Sequence, residues 1–360
     1  MNVPLSKPTI TEDMKKRTLE VLESNRFVKG PNVEEFEKEF AKFCGVEHGT
    51  AVSNGTTAIY IALKALGIGK DDEVIVPSHS FVASASPILF VGAKPIFVDI
   101  GNDFLIDMDD LEKKITEKTK AVLCVHLYGQ MCDMKKLMEL KEKNKFFLIE
   151  DCCQAHGAEF DGKRAGSFGD ASCFSFFPSK NITVAGDGGI IVTDNEELDA
   201  KLKILRDHGR DYRTKDGKFK SSALSLNFRM SEISAAIGRE QLKLIDKFTE
   251  RRKEIAKMYN EMLTGVVKPI EHEKRKHVYH LYVIRTEKQE ELKNFLLENE
   301  IEAGIHYPIP IHKQLIFKEF DSELPETDKT VNEILSLPVF PLMTDEEVKF
   351  VSEKVNEFTD

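Results

Sequence analysis

Residues 121–156 read AVLCVHLYGQMCDMKKLMELKEKNKFFLIEDCCQAH, and this stretch decides the fold class. Two apolar runs, Ala121–His126 and Phe146–Glu150, have the length and uninterrupted apolar character of strands buried on both faces. Between them, Met134–Lys143 has the spacing of apolar and charged residues that is typical of an amphipathic helix. Buried strands joined by helices form a mostly parallel sheet with both faces covered, so the stretch predicts an α/β domain.

The same alternation extends outward from this stretch in both directions. Two amphipathic helices open the chain, and a further helix candidate covers Thr57–Leu66. Four more strand candidates flank the central pattern: Glu73–Val76, Lys94–Val98, Ser172–Phe176 and Gly189–Thr193.

The pattern changes after Met230. A long helical stretch runs from Ser231 to about Leu263 and is followed by the strand candidate Tyr279–Ile284 and the helix candidate Gln289–Glu298. We therefore predict a large domain over residues 1–245, which includes an N-terminal helical segment, and a smaller α+β domain over residues 246–360.

Composition narrows the functional class. The 360 residues are 41% hydrophobic and 31% charged, which is ordinary for a globular protein. The formal net charge is −10 and there is no long Lys/Arg stripe, so we expect no nucleic-acid partner. No uncharged apolar run reaches the ~18 residues of a membrane helix, and the N-terminus lacks an apolar signal core. These features predict a cytoplasmic protein without a membrane partner.

The six cysteines show no C-x-x-C pair and no His spacing typical of zinc. Several lie in strand-like apolar stretches, such as the one around Cys124. We interpret them as buried thiols in a reducing compartment, with a metal or redox role as the alternative, and we predict no metal site.

The first candidate functional group is Ser53–Ala58, which includes Thr56 and Thr57 and runs into a helical pattern. A glycine allows close backbone approach, and a helix N-terminus offers free N–H groups, so the segment suits a phosphate. An ordinary capped helix start is the alternative, because Asn and Thr are good caps.

The second candidate is Asp151, which follows an apolar strand and so lies at the edge of the sheet where ligands bind. A carboxylate there can keep a pyridine nitrogen protonated, which makes the ring an electron sink. A helix cap and a metal ligand are the alternatives.

The third candidate is Lys180, which follows Phe176, Phe177 and Pro178 and precedes a glycine cluster. Desolvation lowers the pKa of an amine, and a neutral amine can form a Schiff base with a carbonyl. A lone lysine on a loop is usually a solvated charge, but Ser175 and the upstream carboxylate favour the functional interpretation.

Phe81, after another strand candidate, is the fourth candidate and could stack on a planar ring, although an aromatic residue there is more often part of a core.

These groups occur in stretches that resemble the DegT/DnrJ/EryC1/StrS family of sugar aminotransferases, which have fold type I of the pyridoxal-phosphate enzymes. The resemblance covers nearly the whole chain in the family's order. It implies an α/β fold with a mostly parallel, seven-stranded type of sheet in the large domain. The matching stretches are Ser53–Ala58, Ala65–Gly69, Asp72–Pro77, Val91–Asp99, Glu150–His156, Phe174–Gly189, Leu205–Gly209 and Asn227–Ser231.

The resemblance implies roles for the matching positions. Lys180 would bind pyridoxal 5′-phosphate covalently and shuttle the proton, and Asp151 would pair with the pyridine nitrogen. Gln154 would contact the ring hydroxyl, and Phe81 would stack on the ring. The phosphate would be held by Thr56, Thr57, Ser175 and, from the neighbouring subunit, Asn227. A homodimer with shared active sites is therefore the expected assembly.

The resemblance also implies where the substrate binds. The loop Gly304–His312 looks like the loop that contacts the sugar nucleotide in the family. Its His306-Tyr307-Pro308 form resembles members that aminate a 3-keto sugar, such as a UDP-linked hexuronate or a dTDP-linked deoxyhexose. Arg229, His306 and Tyr307 are the candidate substrate-binding residues, and bracing of the following helix is the alternative for Arg229. The implied reaction transfers the amino group of L-glutamate to a nucleotide-linked keto sugar. The alternatives are amination at C4, a lyase of the same fold, and a regulatory protein without turnover.

Overall fold

The computed structural model describes residues 1–211, 218, 220–320 and 322–359. Its helices are α1 (Glu12–Ser24), α2 (Pro31–Cys44), α3 (Gly55–Ala65), α4 (Ser86–Phe90), α5 (Met108–Lys114), α6 (Met134–Asn144), α7 (Glu196–Leu205), α8 (Glu232–Leu242), α9 (Ile245–Met262), α10 (Gln289–Glu298), α11 (Pro325–Thr330) and α12 (Asp345–Thr359). Short 3-10 turns cover Val82–Ser84, Leu127–Gly129, Ile311–Lys313 and Leu315–Phe320.

The strands of the described residues form one large sheet and three small ones. In chain order they are β1 (His48–Val52), β2 (Glu73–Pro77), β3 (Lys94–Val98), β4 (Thr119–Val125), β5 (Phe147–Asp151), β6 (Glu159–Phe160), β7 (Lys163–Arg164), β8 (Ala171–Ser175), β9 (Gly189–Thr193), β10 (Arg210–Asp211), β11 (Lys220–Ser221), β12 (Arg275–Lys276), β13 (Tyr282–Arg285) and β14 (Ile334–Leu337).

The large sheet has seven strands in the order β1-β9-β8-β5-β4-β2-β3. The pairs β3-β2, β2-β4, β4-β5 and β5-β8 are parallel, whereas β9 runs antiparallel to both β8 and β1. The predicted α/β class with a mostly parallel sheet is therefore confirmed. The carboxyl ends of β2, β5 and β8 meet at one edge of this sheet.

Two hydrophobic clusters fill the interior. The larger one surrounds the seven-stranded sheet and includes Phe36 and Phe40 of α2. The smaller one joins α9, α10 and α12 to the antiparallel pair β13-β14. Val3 belongs to this second cluster, because its backbone bridges to Ile301. The predicted boundary at residue 245, which falls at the first residue of α9, stays a prediction.

Local sequence explains the bounds of α2. Pro31 occupies the first helical position, where its missing N–H has no partner to lose. Gly45 ends the helix with φ +82°, a left-handed conformation that glycine adopts without steric cost. Val33, Phe36 and Phe40 are buried along one face of the helix.

The long helix predicted from Ser231 to Leu263 is wrong as a single element. A turn at Lys243 and Leu244 divides it into α8 and α9. The reason is packing, because α8 lies against α1 and α2 whereas α9 lies against α12 in the second cluster. None of the helices in the described ranges is long and apolar enough to span a bilayer.

Candidate active site

A cavity of about 500 Å³ opens where β2, β5 and β8 end and α3 begins. A volume of this size suits a small-molecule ligand. Seven of the residues predicted from the sequence line it: Thr56, Phe81, Asp151, Gln154, Ser175, Lys180 and Tyr307. The sheet therefore brings together side chains that are up to 251 positions apart in the chain, from Thr56 to Tyr307.

Asp151 is the last residue of β5 and only 5% exposed. Its Oδ2 accepts a hydrogen bond from Ser84 Oγ at 2.7 Å, and its Oδ1 accepts one from the backbone N–H of Cys153 at 3.1 Å. A carboxylate can accept about four hydrogen bonds, so acceptor capacity remains for a donor in the cavity.

Lys180 lies on the loop after β8 and is partly exposed to the cavity. Burial lowers the pKa of its amine, and the nearby Cys153 and Asp151 oppose that shift without reversing it. A lower pKa increases the neutral fraction of the amine, which is the nucleophilic form.

The N-terminus of α3 forms the floor of the cavity. Asn54 caps the helix, because its side chain accepts from the Thr57 backbone N–H at 2.8 Å. Gly55 has no room for a side chain, since an added Cβ would lie 2.7 Å from Ser175 Cβ. The exposed Thr56 and the free N–H groups of this helix end suit a phosphate.

Thr57 takes part in the cap instead of lining the cavity. Its Oγ1 donates to the Asn54 carbonyl at 2.9 Å and lies 3.1 Å from Ser53 Oγ. The predicted contact between Thr57 and a phosphate therefore stays a prediction.

Aromatic side chains form the apolar walls of the cavity. Phe81 and Phe177 are 54% and 51% exposed, which is unusual for large apolar rings. The ring of Tyr307 lies 6.1 Å from the ring of Phe81. A flat heteroaromatic ring would cover such a surface, so the donor set and the walls together fit pyridoxal phosphate.

Gln154 is held in one orientation by two tyrosines. Its Oε1 accepts from the Tyr128 backbone N–H at 2.7 Å, and its Nε2 donates to Tyr307 Oη at 2.7 Å. Both tyrosines have positive φ, +58° and +61°, a conformation that bulky residues seldom adopt. The role of Tyr128 could not be predicted from the sequence, because no neighbouring residue indicates that its backbone is strained.

Besides Thr57, three predicted residues lie outside the cavity lining of their own protomer. Asn227 is exposed, and Arg229 forms an ion pair with Asp207 beside a separate cavity. His306 Nδ1 is 2.8 Å from Ser336 Oγ, and burial together with the charge of Lys180 lowers the His306 pKa to about 4. Their predicted roles are not tested by the geometry of one protomer.

A buried cluster lies beneath Asp151 and has residue types that bind metals: Cys124, His126, Cys132, Glu150 and Cys152. His126 Nε2 is 2.9 Å from Glu150 Oε2, and His126 Nδ1 accepts from the Cys132 backbone N–H at 3.2 Å. Glu150 also accepts from the backbone of residues 166, 168 and 169. These contacts already use both imidazole nitrogens, and the prediction of no metal site stays a prediction.

Comparison with known proteins connects the chain to one family. A model described as the DegT/DnrJ/EryC1/StrS aminotransferase family matches residues 8–356. A pleiotropic regulatory protein of Geobacillus stearothermophilus is 41% identical over 348 residues, which cover 94% of this chain and 92% of that protein. A dTDP-3-amino-3,6-dideoxy-alpha-D-galactopyranose transaminase of Aneurinibacillus thermoaerophilus is 40% identical over 342 residues, which cover 94% of this chain and 93% of that protein.

A solved structure shows the same architecture. The X-ray structure of S. venezuelae DesV in complex with a ketimine intermediate aligns with a TM-score of 0.95 at 35% identity. The alignment covers 100% of this chain and 99% of DesV. The fold is therefore that of an aminotransferase.

Proposed function

The chain belongs to the DegT/DnrJ/EryC1/StrS aminotransferase family, and from this premise we propose that it moves the amino group of L-glutamate to C3 of a nucleotide-linked keto sugar. The protein is a pyridoxal-phosphate-dependent aminotransferase. The observation that carries the proposal is the cavity that holds Lys180, with its lowered pKa, together with Asp151.

Pyridoxal phosphate, when bound, supplies an electron sink that stabilises negative charge on the substrate carbon. Lys180 would hold the cofactor and, once released, its neutral amine would move the proton at the substrate carbon. Asp151 would keep the ring nitrogen protonated, and Gln154 Nε2, one of whose N–H groups donates to Tyr307 Oη, would donate the other to an oxygen on the ring.

The remaining residues of the cavity would position the cofactor. Thr56, Ser175 and the N-terminus of α3 would hold the phosphate. Phe81 would cover one face of the ring and exclude water from it.

Two observations support amination at C3. The transaminase relative from Aneurinibacillus thermoaerophilus is named for a 3-amino sugar. In addition, the loop His306-Tyr307-Pro308, whose form resembles that of members that aminate a 3-keto sugar, contributes Tyr307 to the cavity lining. Amination at C4 is the alternative, and the position of the amine in the product distinguishes the two.

A regulatory function is the second candidate, because one relative is named a pleiotropic regulatory protein. The intact set of Lys180, Asp151 and Ser175 in one cavity favours turnover, since a binding protein has no need of a reactive amine.

We further propose that the enzyme is a cytoplasmic homodimer in which Asn227 completes the partner's phosphate site, and that Arg229 contacts the substrate. Leu224 and Leu226, which precede Asn227, are 88% and 67% exposed, and Phe90 is 81% exposed. Exposed apolar side chains of this size are typical of protein interfaces.

An absorbance titration tests the proposed reaction. We expect the protein with bound pyridoxal phosphate to be yellow, to lose its colour with L-glutamate, and to regain it with one member of a panel of UDP- and dTDP-linked 3-keto and 4-keto sugars. Nuclear magnetic resonance of the product then locates the new amine. Lys180→Ala should abolish turnover, whereas Lys349→Ala, at an exposed lysine of α12, should not. A protein that binds the cofactor but aminates none of these sugars would contradict the proposal.

A further inference from the structure

We propose that Ser84 is a positioning residue that holds the Asp151 carboxylate in place through a directed pair of serine hydroxyls. The inference rests on the proposed function, because it concerns the carboxylate that would face the ring nitrogen. Ser84 lies in the 3-10 turn that follows Phe81, and neither the sequence pattern nor the family resemblance singles it out.

The direction of the hydrogen bonds follows from counting donors. Ser84 Oγ lies 2.7 Å from Asp151 Oδ2, and an ionised carboxylate only accepts, so the hydroxyl hydrogen of Ser84 points to Asp151. Ser80 Oγ lies 2.8 Å from Ser84 Oγ. Because Ser84 has no second hydrogen to give, Ser80 must donate to Ser84.

Burial makes this pair of hydroxyls rigid. Ser80 and Ser84 are 3% and 1% exposed, so little of either hydroxyl is open to competing water. The hydrogen bond to Asp151 is charge-assisted, and the preceding donor polarises it further. The hydrogen of Ser80 is used within the pair, so Ser80 offers only acceptor lone pairs to a ligand in the cavity.

The same turn also sets the position of the aromatic wall. The backbone N–H of Ser84 donates to the Phe81 carbonyl at 2.9 Å. One short turn therefore restrains both the main chain that carries Phe81 and, through Ser84, the carboxylate of Asp151. We infer that it aligns the two contacts to the cofactor ring, one on its face and one on its nitrogen.

The test compares four variants loaded with pyridoxal phosphate: Ser84→Ala, Ser84→Thr, Ser80→Ala and the control Ser352→Ala. Ser352 is a fully buried serine that donates only to a carbonyl of its own helix α12, so its loss measures the general effect of removing a buried hydroxyl. The measurements are kcat, KM for the keto sugar, the visible spectrum of the bound cofactor, and the thermal midpoint of the cofactor-free protein.

We expect Ser84→Ala to lower kcat about tenfold or more, as for the loss of a hydrogen bond to a charged group, with little change in KM. The visible band of its bound cofactor should shift, because the partner of the ring nitrogen is no longer fixed. Ser80→Ala should show smaller changes in the same direction, and Ser84→Thr, which keeps the hydroxyl, should restore most of kcat. Ser352→Ala should keep the wild-type spectrum and kcat.

A wild-type spectrum and kcat for Ser84→Ala would overturn the inference while leaving the proposed function intact. If Ser84→Ala does not fold, an unchanged spectrum for Ser80→Ala would overturn it equally. A wild-type protein that binds the cofactor but transfers no amine would instead refute the proposed function.

Discussion

At the scale of single residues, burial determines the charge of several side chains around the cavity. His156 is fully buried among Phe40, Phe174 and Phe176. Its ring nitrogens are buried, and the backbone of Ser175 compensates only in part for the loss of contact with water. Burial and the charge of Lys180 lower its pKa to about 3. In the folded protein His156 is therefore neutral at any pH where the enzyme would work.

This pKa predicts an acid-sensitive contribution to stability. In the unfolded chain His156 has a pKa of about 6.5, whereas in the folded chain its pKa is about 3. The contribution of His156 is present above pH 6.5 and is lost as the pH falls from there toward 3. Between pH 7 and pH 5, the loss of this contribution should lower the free energy of unfolding by about 2 kcal/mol.

Urea unfolding of the cofactor-free protein at pH 7 and pH 5 checks this prediction. His156→Phe should reduce the loss of stability between the two pH values by about that amount, and any packing effect of the new ring cancels in the difference. Phe317→Leu, at a buried ring that carries no titrating group, is the control and should keep the wild-type loss between the two pH values. Equal losses for His156→Phe and the wild type would contradict the assignment.

Sequence indicated which residues carry chemistry better than where their side chains point. Asp151 and Lys180 follow predicted strands, and the carboxyl ends of parallel strands meet, so their convergence could be anticipated. Thr57 and Arg229 show the limit. Whether a threonine hydroxyl faces a ligand or its own helix cap depends on a side-chain rotamer, and the ion pair of Arg229 with Asp207 depends on a contact between chain segments.

At the scale of elements, the junction of α3 with β8 determines how close a phosphate can come. Gly55 is the first residue of α3, and an added Cβ would lie 2.7 Å from Ser175 Cβ and 2.9 Å from Cys153 Sγ. Ser175 belongs to a central strand and cannot move away.

We therefore expect Gly55→Ala to weaken the binding of pyridoxal phosphate at least tenfold and to lower the thermal midpoint, because overpacking typically costs about 1–3 kcal/mol. Gly186→Ala is the matched control, since no atom lies within 4 Å of its added Cβ. The measurement is a cofactor titration followed by absorbance. Equal dissociation constants for the two variants would show that the helix and the strand are not in close contact.

Elements with a strong apolar pattern were predictable, and those determined by partners were not. The strands Lys94–Val98 and Gly189–Thr193 and the helix Gln289–Glu298 match the structure. Strand β1 was missed because it begins with His48 and Gly49 and lacks a continuous apolar run. Its strand conformation depends on antiparallel pairing with β9. The paired residues Val52 and Gly189 are 137 positions apart in the chain.

At the scale of the whole molecule, the proposal of shared active sites predicts complementation between two inactive variants. Lys180→Ala removes the reactive amine of its own site, and Asn227→Ala removes the residue given to the partner. In a mixed dimer, one of the two sites would then be wild type. Random assembly of equal amounts should restore about a quarter of the wild-type activity, because half of the dimers are mixed and each has one intact site.

The check is to unfold and refold the two variants together and to compare the activity with that of each variant refolded alone. Lys180→Ala mixed with Lys349→Ala provides the reference for simple dilution by an active protein. No gain for the Lys180→Ala and Asn227→Ala mixture would contradict a site built from two subunits. The proposed assembly does not follow from periodicity or composition, because the exposed side chains around Asn227 appear only in the folded chain.

The most direct test of the central claim is to identify the lysine that holds the cofactor. The protein is loaded with pyridoxal phosphate, treated with borohydride to make the linkage permanent, digested, and analysed by mass spectrometry. We expect the cofactor mass to lie on Lys180 and to be absent from the Lys180→Ala variant. A label on another lysine, or an unlabelled protein, would contradict the proposed active site.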